Sequence, residues 1–234
     1  MIMMKNKKVA AITGAYSGLG AALSELLAKK GYALVLGGRD KEKLQQFTEK
    51  MKKITEVEAV QMDVRKKDDC SKFIQEGVKR FQRLDILINN AGILYTLTPL
   101  EEITEEELLD TYRVNVFGPI YCAQAAVKIM KKQSSGHIVN IGSTSALDYK
   151  PSHTAYGSSK SALVGFSGSL KTELQGTGIK VTCFNPGGMK TELFRRQPER
   201  KTLEFMDPQL VAQKIVEHLE SNSEEWLITL RRPK

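Results

Sequence analysis

At 234 residues, 41% hydrophobic and 26% charged, the chain has the length and composition of one folded α/β unit with a full core, which excludes a disordered polypeptide. No apolar run approaches the ~20 residues needed to span a bilayer, so a membrane role is not expected. The net charge of +8 is spread over Lys-rich stretches without a basic stripe, interleaved aromatics or a zinc signature, so a solvated surface accounts for it better than a nucleic-acid partner.

The start, Met1 to Lys8, is basic but runs straight into a strand-like segment with neither an apolar core nor a small-residue cleavage site, so no signal peptide is expected. Cys70, Cys122 and Cys183 are far apart and odd in number. Free buried thiols in a reducing cytoplasm are the expectation.

In chain order, short runs rich in Val, Ile and Leu at residues 8–13, 33–37, 58–62, 84–89, 136–141, 180–185 and 225–230 predict seven strands. Most are continuously apolar rather than alternating, as parallel strands covered on both faces require. Amphipathic stretches lie between them. Leu23, Leu26 and Leu27 line one helix, which Gly31 closes, and Phe73, Ile74, Val78 and Phe81 line another. Asp40 reads as the N-cap of a helix over 41–51. Asp207 and Pro208 open a last helix with Val211, Ile215 and Leu219 on one face. Strands alternating with helical crossovers imply right-handed connections and a doubly wound sheet, with ligands at the carboxyl ends of the strands. No linker or internal repeat divides the chain, so residues 1–234 are expected to form one domain, with a short substrate loop at about 192–206.

The first strand ends at Thr13, and Gly14-Ala15-Tyr16-Ser17-Gly18-Leu19-Gly20 leads into a helix. Glycines let the backbone approach a pyrophosphate, and the helix N-terminus offers it unpaired N–H groups. The second strand ends Gly37-Gly38-Arg39. A carboxylate there would accept from a ribose 2′-hydroxyl, whereas a guanidinium suits a 2′-phosphate, so NADP(H) is expected ahead of NAD(H). Asp63 ends the third strand and could accept from an adenine amino group, or be an ordinary strand-end aspartate. Tyr156 and Lys160, four apart, share a helix face, and an ammonium there would lower the phenol pKa from its usual ~10. Ser143 stands after the fifth strand, where its hydroxyl could donate to the same substrate oxygen. Thr144 and Ser145 beside it also fit a simple polar turn.

These residues together resemble the short-chain dehydrogenase/reductase family. The likeness covers about residues 7–230: Thr-Gly-x-x-x-Gly-x-Gly at Thr13, Asn89-Asn90-Ala91-Gly92, Asn115, Ser143, Tyr156-x-x-x-Lys160 and Pro186-Gly187-Gly188-Met189-Lys190-Thr191. The resemblance implies a Rossmann-like, doubly wound three-layer α/β sandwich around a seven-stranded parallel sheet. It implies an oxidoreductase moving hydride between nicotinamide and a carbonyl or secondary alcohol. Tyr156 would be general acid/base, Lys160 would lower its pKa and bond the nicotinamide ribose, Ser143 would polarise the substrate oxygen, and Asn115 would hold a water. Cofactor contacts would come from Thr13, Gly14, Ser17, Gly18, Leu19, Gly20, Arg39, Asp63, Val64, Asn90, Ala91, Gly92, Pro186, Gly187, Met189 and Thr191, together with Tyr156 and Lys160, and no metal is required.

By analogy a homodimer or homotetramer is expected. Ala123, Ala126 and Met130 of a helix at 119–132, with Leu163, Phe166 and Leu170 of one at 155–175, would supply its apolar faces. His153 is expected to line the pocket. Arg195, Arg196, Arg200 and Lys201 form a basic cluster that either draws an anionic substrate or is a charged surface loop. The competing reading is a catalytically silent dinucleotide-binding regulator of the same fold, which would need none of the proton chemistry. An extended-branch epimerase or dehydratase would need a C-terminal domain for which there is no room.

Overall fold

The structure is a computed structural model and describes residues 7–95, 97–194, 205–221 and 223–232. Its strands are Val9–Thr13 (β1), Ala33–Gly38 (β2), Val57–Gln61 (β3), Ile86–Asn89 (β4), Gly136–Ile141 (β5), Ile179–Pro186 (β6) and Leu227–Leu230 (β7). The helices are Gly18–Lys29 (α1), Lys41–Lys52 (α2), Lys67–Phe81 (α3), Glu105–Tyr112 (α4), Gly118–Gln133 (α5), Thr154–Glu173 (α6) and Pro208–Glu220 (α7). The fourth strand starts later than its apolar run, because the Gln133 side chain takes both the N–H and the C=O of Leu84, at 2.9 and 2.8 Å.

All pairings are parallel, in the order β3-β2-β1-β4-β5-β6-β7. Alternate residues of one strand serve opposite faces, which explains the unbroken apolar runs. Ala10 and Ile12 of β1 pack with Leu23 and Leu27 of α1 and Val211 and Ile215 of α7. Val9 and Ala11 pack with Phe73 and Ile74 of α3 and Ala126 and Met130 of α5. The result is the three-layer, Rossmann-like sandwich expected from the sequence.

The caps are those the sequence indicates. Asp40 accepts from Lys43 N–H at 3.0 Å and Asp207 from Gln209 N–H at 2.8 Å. The apolar faces expected to pair subunits are corrected. Ala123, Ala126, Met130, Leu163 and Leu170 are buried in the chain's own interior, and Phe166 packs against the same core. Their helical spacing answered to the sheet, not to a second copy. Cys70, Cys122 and Cys183 are buried free thiols.

The strand order reverses beside β1: β2 and β3 lie on one side, β4 and the later strands on the other. A crevice opens at the carboxyl ends of the strands at such a reversal. A cavity of about 650 Å³ occupies it.

Candidate functional site

At one end of the cavity the turn after β1 is locked to the turn after β4. Thr13 Oγ1 accepts the N–H groups of Asn90 and Ala91, both at 3.0 Å. Asn90 Nδ2 donates back to the carbonyls of Thr13 and Gly14, at 2.9 and 3.1 Å. Gly18 has φ +49°, and a Cβ there would stand 2.9 Å from Thr191 Cγ2. Ser17, the N-cap of α1, makes no side-chain capping bond. The first N–H groups of α1 therefore face the cavity end without a side-chain acceptor, and the glycine cradle fits the phosphates of a dinucleotide.

The end of β2 holds a feature that the spacing did not announce. The Tyr16 ring lies over Gly38, so a Cβ on that glycine would stand 2.2 Å from Tyr16 Cε1. The Tyr16 hydroxyl accepts from Asp40 N–H at 3.3 Å. The ring thus occupies the space in which an acidic side chain at position 38 would sit. Arg39 and Lys43 line the cavity beside it. Lys43, one turn beyond Arg39, was legible only as a helix-surface lysine.

Asp63 and Val64 line the same end. The Asp63 carboxylate is already held by Arg65, with Nε at 3.0 Å from Oδ1 and Nη2 at 2.6 Å from Oδ2. Burial raises its pKa, but the Arg65 hydrogen bonds and charge outweigh that and keep the carboxyl below its usual range. Arg65 Nη1 also reaches Asp110 at 2.8 Å, and the Tyr95 hydroxyl donates to Asp110 at 2.7 Å. An adenine amino group would thus meet a carboxylate whose oxygens already accept from a guanidinium.

At the other end stand Ser143, Tyr156 and Lys160. The turn after β5 carries Ser143, whose N–H donates to Asn185 Oδ1 at 3.1 Å, while Ser143 Oγ accepts from Ser145 N–H at 3.1 Å. Tyr156 and Lys160 occupy one face of α6. Burial pushes the Tyr156 phenol up to about 12, and a hydrogen bond with the Ser143 hydroxyl pulls the other way. Lys160 is buried and donates to the Ile141 carbonyl at 2.9 Å, its Nζ lying 5.8 Å from the centroid of the Tyr156 ring. Burial pushes its ammonium down to about 8. For the Tyr156 phenol desolvation is the larger of the two causes, and it favours the protonated form.

Asn115 is fully buried in a π-helical turn, Arg113–Phe117, between α4 and α5. Such insertions recur at functional sites. Its Oδ1 accepts from Ile93 N–H at 2.9 Å, and its Nδ2 donates to the Ile93 carbonyl at 3.0 Å and to Ser159 Oγ at 3.1 Å. The side chain is a strut between the turn after β4 and α6. A Cβ on Gly92 would stand 3.4 Å from Asn115 Oδ1 and 3.5 Å from Lys160 Nζ, so these two groups and the Asn90–Gly92 turn meet at one point.

Pro186, Gly187, Met189 and Thr191 line the cavity after β6, and His153 lines it from the start of α6, with Nδ1 3.3 Å from Ser145 Oγ. The basic cluster Arg195, Arg196, Arg200 and Lys201 lies outside the described residues, as does most of the loop at 192–206. Among the described residues there is no group of three His, Cys, Asp or Glu side chains able to hold a metal ion, and no helix long and apolar enough to cross a membrane.

A doubly wound parallel sheet with a glycine turn, a Tyr-x-x-x-Lys helix and a serine at one switch-point cavity defines a class of oxidoreductase. The short chain dehydrogenase family model matches residues 8–202, and the chain belongs to that family. It is 38% identical over 202 residues to an uncharacterized oxidoreductase of Staphylococcus aureus (strain USA300), covering 86% of this chain and 87% of that protein. Among solved structures, it resembles an alcohol dehydrogenase of the archaeon Thermococcus sibiricus complexed with 5-hydroxy-NADP, with a TM-score of 0.89 and 26% identity over 98% of this chain and 100% of that one. It also resembles a short chain dehydrogenase/reductase of Burkholderia phymatum in complex with NAD, with a TM-score of 0.88 and 25% identity over 97% and 90% of the two chains.

Proposed function

We propose that the protein is an NADP(H)-dependent oxidoreductase that interconverts a carbonyl and a secondary alcohol, with Tyr156 as general acid and base. The observation that carries this reading is the meeting of Ser143, Tyr156 and Lys160 on the wall of a cavity that runs to the glycine turn. A bound nicotinamide dinucleotide supplies or accepts the hydride.

The chain's own residues do the rest. The turn from Thr13 through Gly14, Ser17, Gly18 and Leu19 to Gly20 takes the pyrophosphate at the N-terminus of α1. Asp63 and Val64 take the adenine, and Asn90, Ala91 and Gly92 lie along the ribose. Pro186, Gly187, Met189 and Thr191 hold the nicotinamide carboxamide. Arg39 takes the 2′-phosphate, with Lys43 beside it. The Tyr16 ring above Gly38 supports the NADP(H) preference, because it fills the place of the carboxylate that would bind a 2′-hydroxyl. The similar solved structures carry nucleotides of both kinds, so these residues rather than the likeness support the preference.

Burial keeps the Tyr156 proton in place at neutral pH, which suits a donor to a carbonyl oxygen. Ser143 donates to the same oxygen and polarises it. After transfer, the Lys160 ammonium stabilises the phenolate in a site where water screens little. In the reverse direction Tyr156 takes the alcohol proton. Asn115 holds α6 against the turn after β4, so that Tyr156 and Lys160 keep their places. The free thiols suit a reducing cytoplasm.

The test is NADPH oxidation followed at 340 nm with a panel of ketones and aldehydes. Tyr156→Phe should lower turnover by about 10²–10⁴-fold while NADPH still binds. Turnover equal to wild type in that variant would remove Tyr156 as the proton donor.

A further inference from the structure

One guanidinium bridges the turn after β3 to α4. The Asp63 carboxylate takes four hydrogen bonds from Arg65. Its Oδ1 accepts the Arg65 backbone N–H and Nε, both at 3.0 Å, and its Oδ2 accepts Nε at 3.0 Å and Nη2 at 2.6 Å. The remaining arm of the guanidinium, Nη1, reaches Asp110 Oδ1 on α4 at 2.8 Å. The other oxygen of Asp110 accepts from the Tyr95 hydroxyl at 2.7 Å. Burial raises the Asp110 pKa, but the bonds from Arg65 and Tyr95 outweigh that and keep the carboxyl below its usual range.

Tyr95 belongs to the reacting end. The chain passes Lys160 at Gly92, where a Cβ would stand 3.5 Å from Lys160 Nζ. Asn115 then holds both the N–H and the C=O of Ile93, at 2.9 and 3.0 Å. Tyr95 follows, and it lines the main cavity together with Tyr156. The same two tyrosines border a smaller void of about 20 Å³ beside α4 and the start of α6. Residues 93–95 are thus braced twice from one continuous helical stretch, by Asn115 at the backbone and by Asp110 at the Tyr95 hydroxyl.

We propose that Arg65 is a positioning residue that couples the adenine end of the cavity to Tyr95, so that recognition of the adenine amino group sets the wall beside Tyr156. This rests on the reading of Asp63 as the adenine partner. A carboxylate offers about four lone-pair sites, and Arg65 engages all of those on Asp63. Asp63 therefore accepts from an amino group only by yielding a bond from Arg65. The guanidinium then leans on Asp110, its other carboxylate, and Asp110 changes its hold on the Tyr95 hydroxyl. Members of one buried polar network polarise one another, so a bond lost at one carboxylate is felt at the next. By linkage, a molecule that fixes Tyr95 changes adenine binding by the same factor.

The test compares NADPH with its analogue in which purine replaces adenine, which lacks only the amino group. The whole chain is labelled with 3-fluorotyrosine, and among its seven tyrosines Tyr95 is assigned by the fluorine signal lost in Tyr95→Phe. The nicotinamide is common to both nucleotides, so a difference between the two Tyr95 signals traces to the amino group. The signal should differ between the nucleotides in the wild type and coincide in Arg65→Gln and in Asp110→Asn. Nicotinamide fluorescence gives the two dissociation constants. Their ratio should be about threefold or less in the wild type and in Asp110→Asn, where Arg65 competes for Asp63, and about tenfold or more in Arg65→Gln, which frees the carboxylate. Should Arg65→Gln fail to fold, Asp110→Asn decides alone through the Tyr95 signal. Coincident wild-type signals, or a difference that survives in Asp110→Asn, overturn the coupling and leave the dinucleotide reading intact. A ratio that stays at threefold in Arg65→Gln overturns the competition at Asp63, and with it the coupling. Binding of neither nucleotide overturns the dinucleotide reading and the coupling together.

Discussion

Asn185 Oδ1 accepts the backbone N–H of Ser143 at 3.1 Å, which fixes the turn after β5 to the end of β6. Asn185 is fully buried, and its Nδ2 has no partner among the described residues. A polar group kept in that condition is an acceptor bought at some expense, and its role here is to aim Ser143.

Asn185→Ala should therefore act twice. It strands a buried N–H, which lowers the unfolding free energy by about 1–3 kcal/mol. It also frees the Ser143 turn, so kcat should fall more than the stability loss explains. Urea unfolding and initial rates on the same preparation check both. Normal kcat in a destabilised variant would show that Asn185 supports the fold alone.

Lys160 should set function against stability. Burial depresses its pKa from 10.5 to about 8, so between these values the unfolded chain holds a proton that the folded chain lacks, and stability rises with pH across that window. At neutral pH the full penalty of about 3 kcal/mol is present, offset in part by the bond to Ile141. Lys160→Met should abolish turnover yet raise the unfolding free energy at pH 7 by about 1–3 kcal/mol. A less stable variant would mean that the Ile141 bond outweighs the buried charge.

His137 predicts acid sensitivity. Burial, then the nearby charges of His218 and Lys180, lower its pKa to about 4, and its Nε2 lies 2.8 Å from Thr182 Oγ1. Between pH 6.5 and 4 the unfolded chain binds the proton that the folded chain refuses, so stability falls as pH falls, by up to about 3 kcal/mol. Thermal unfolding from pH 7 to 4 should show this slope, and His137→Gln should flatten it.

Cofactor choice should depend on Tyr16 as well as Arg39. Arg39→Ala should weaken NADPH binding by about 10–100-fold with little effect on NADH. Gly38→Asp alone should weaken both, because its Cβ would strike the Tyr16 ring. Adding Tyr16→Ala should open room for the carboxylate and move the preference to NADH. Fluorescence titration of each variant with both nucleotides decides it. Tight NADH binding by Gly38→Asp alone would show that the ring moves aside.

What the sequence determined by itself was whatever repeats at short range. Seven apolar runs specified the strands, Asp40 and Asp207 their helix starts, and the four-residue spacing of Tyr156 and Lys160 their common face. Backbone geometry alone converts such intervals into shared faces and turns. The tertiary structure decided contacts between residues far apart in the chain: Ser143 with Asn185, Arg65 with Asp110, Tyr16 over Gly38, and Arg231 with Asp148. It also decided that the apolar faces of α5 and α6 cover the chain's own sheet, and that Tyr156 and Lys160 are buried deeply enough for desolvation to govern both pKa values. Burial depends on every element packed around a residue, and no interval along the chain carries that sum.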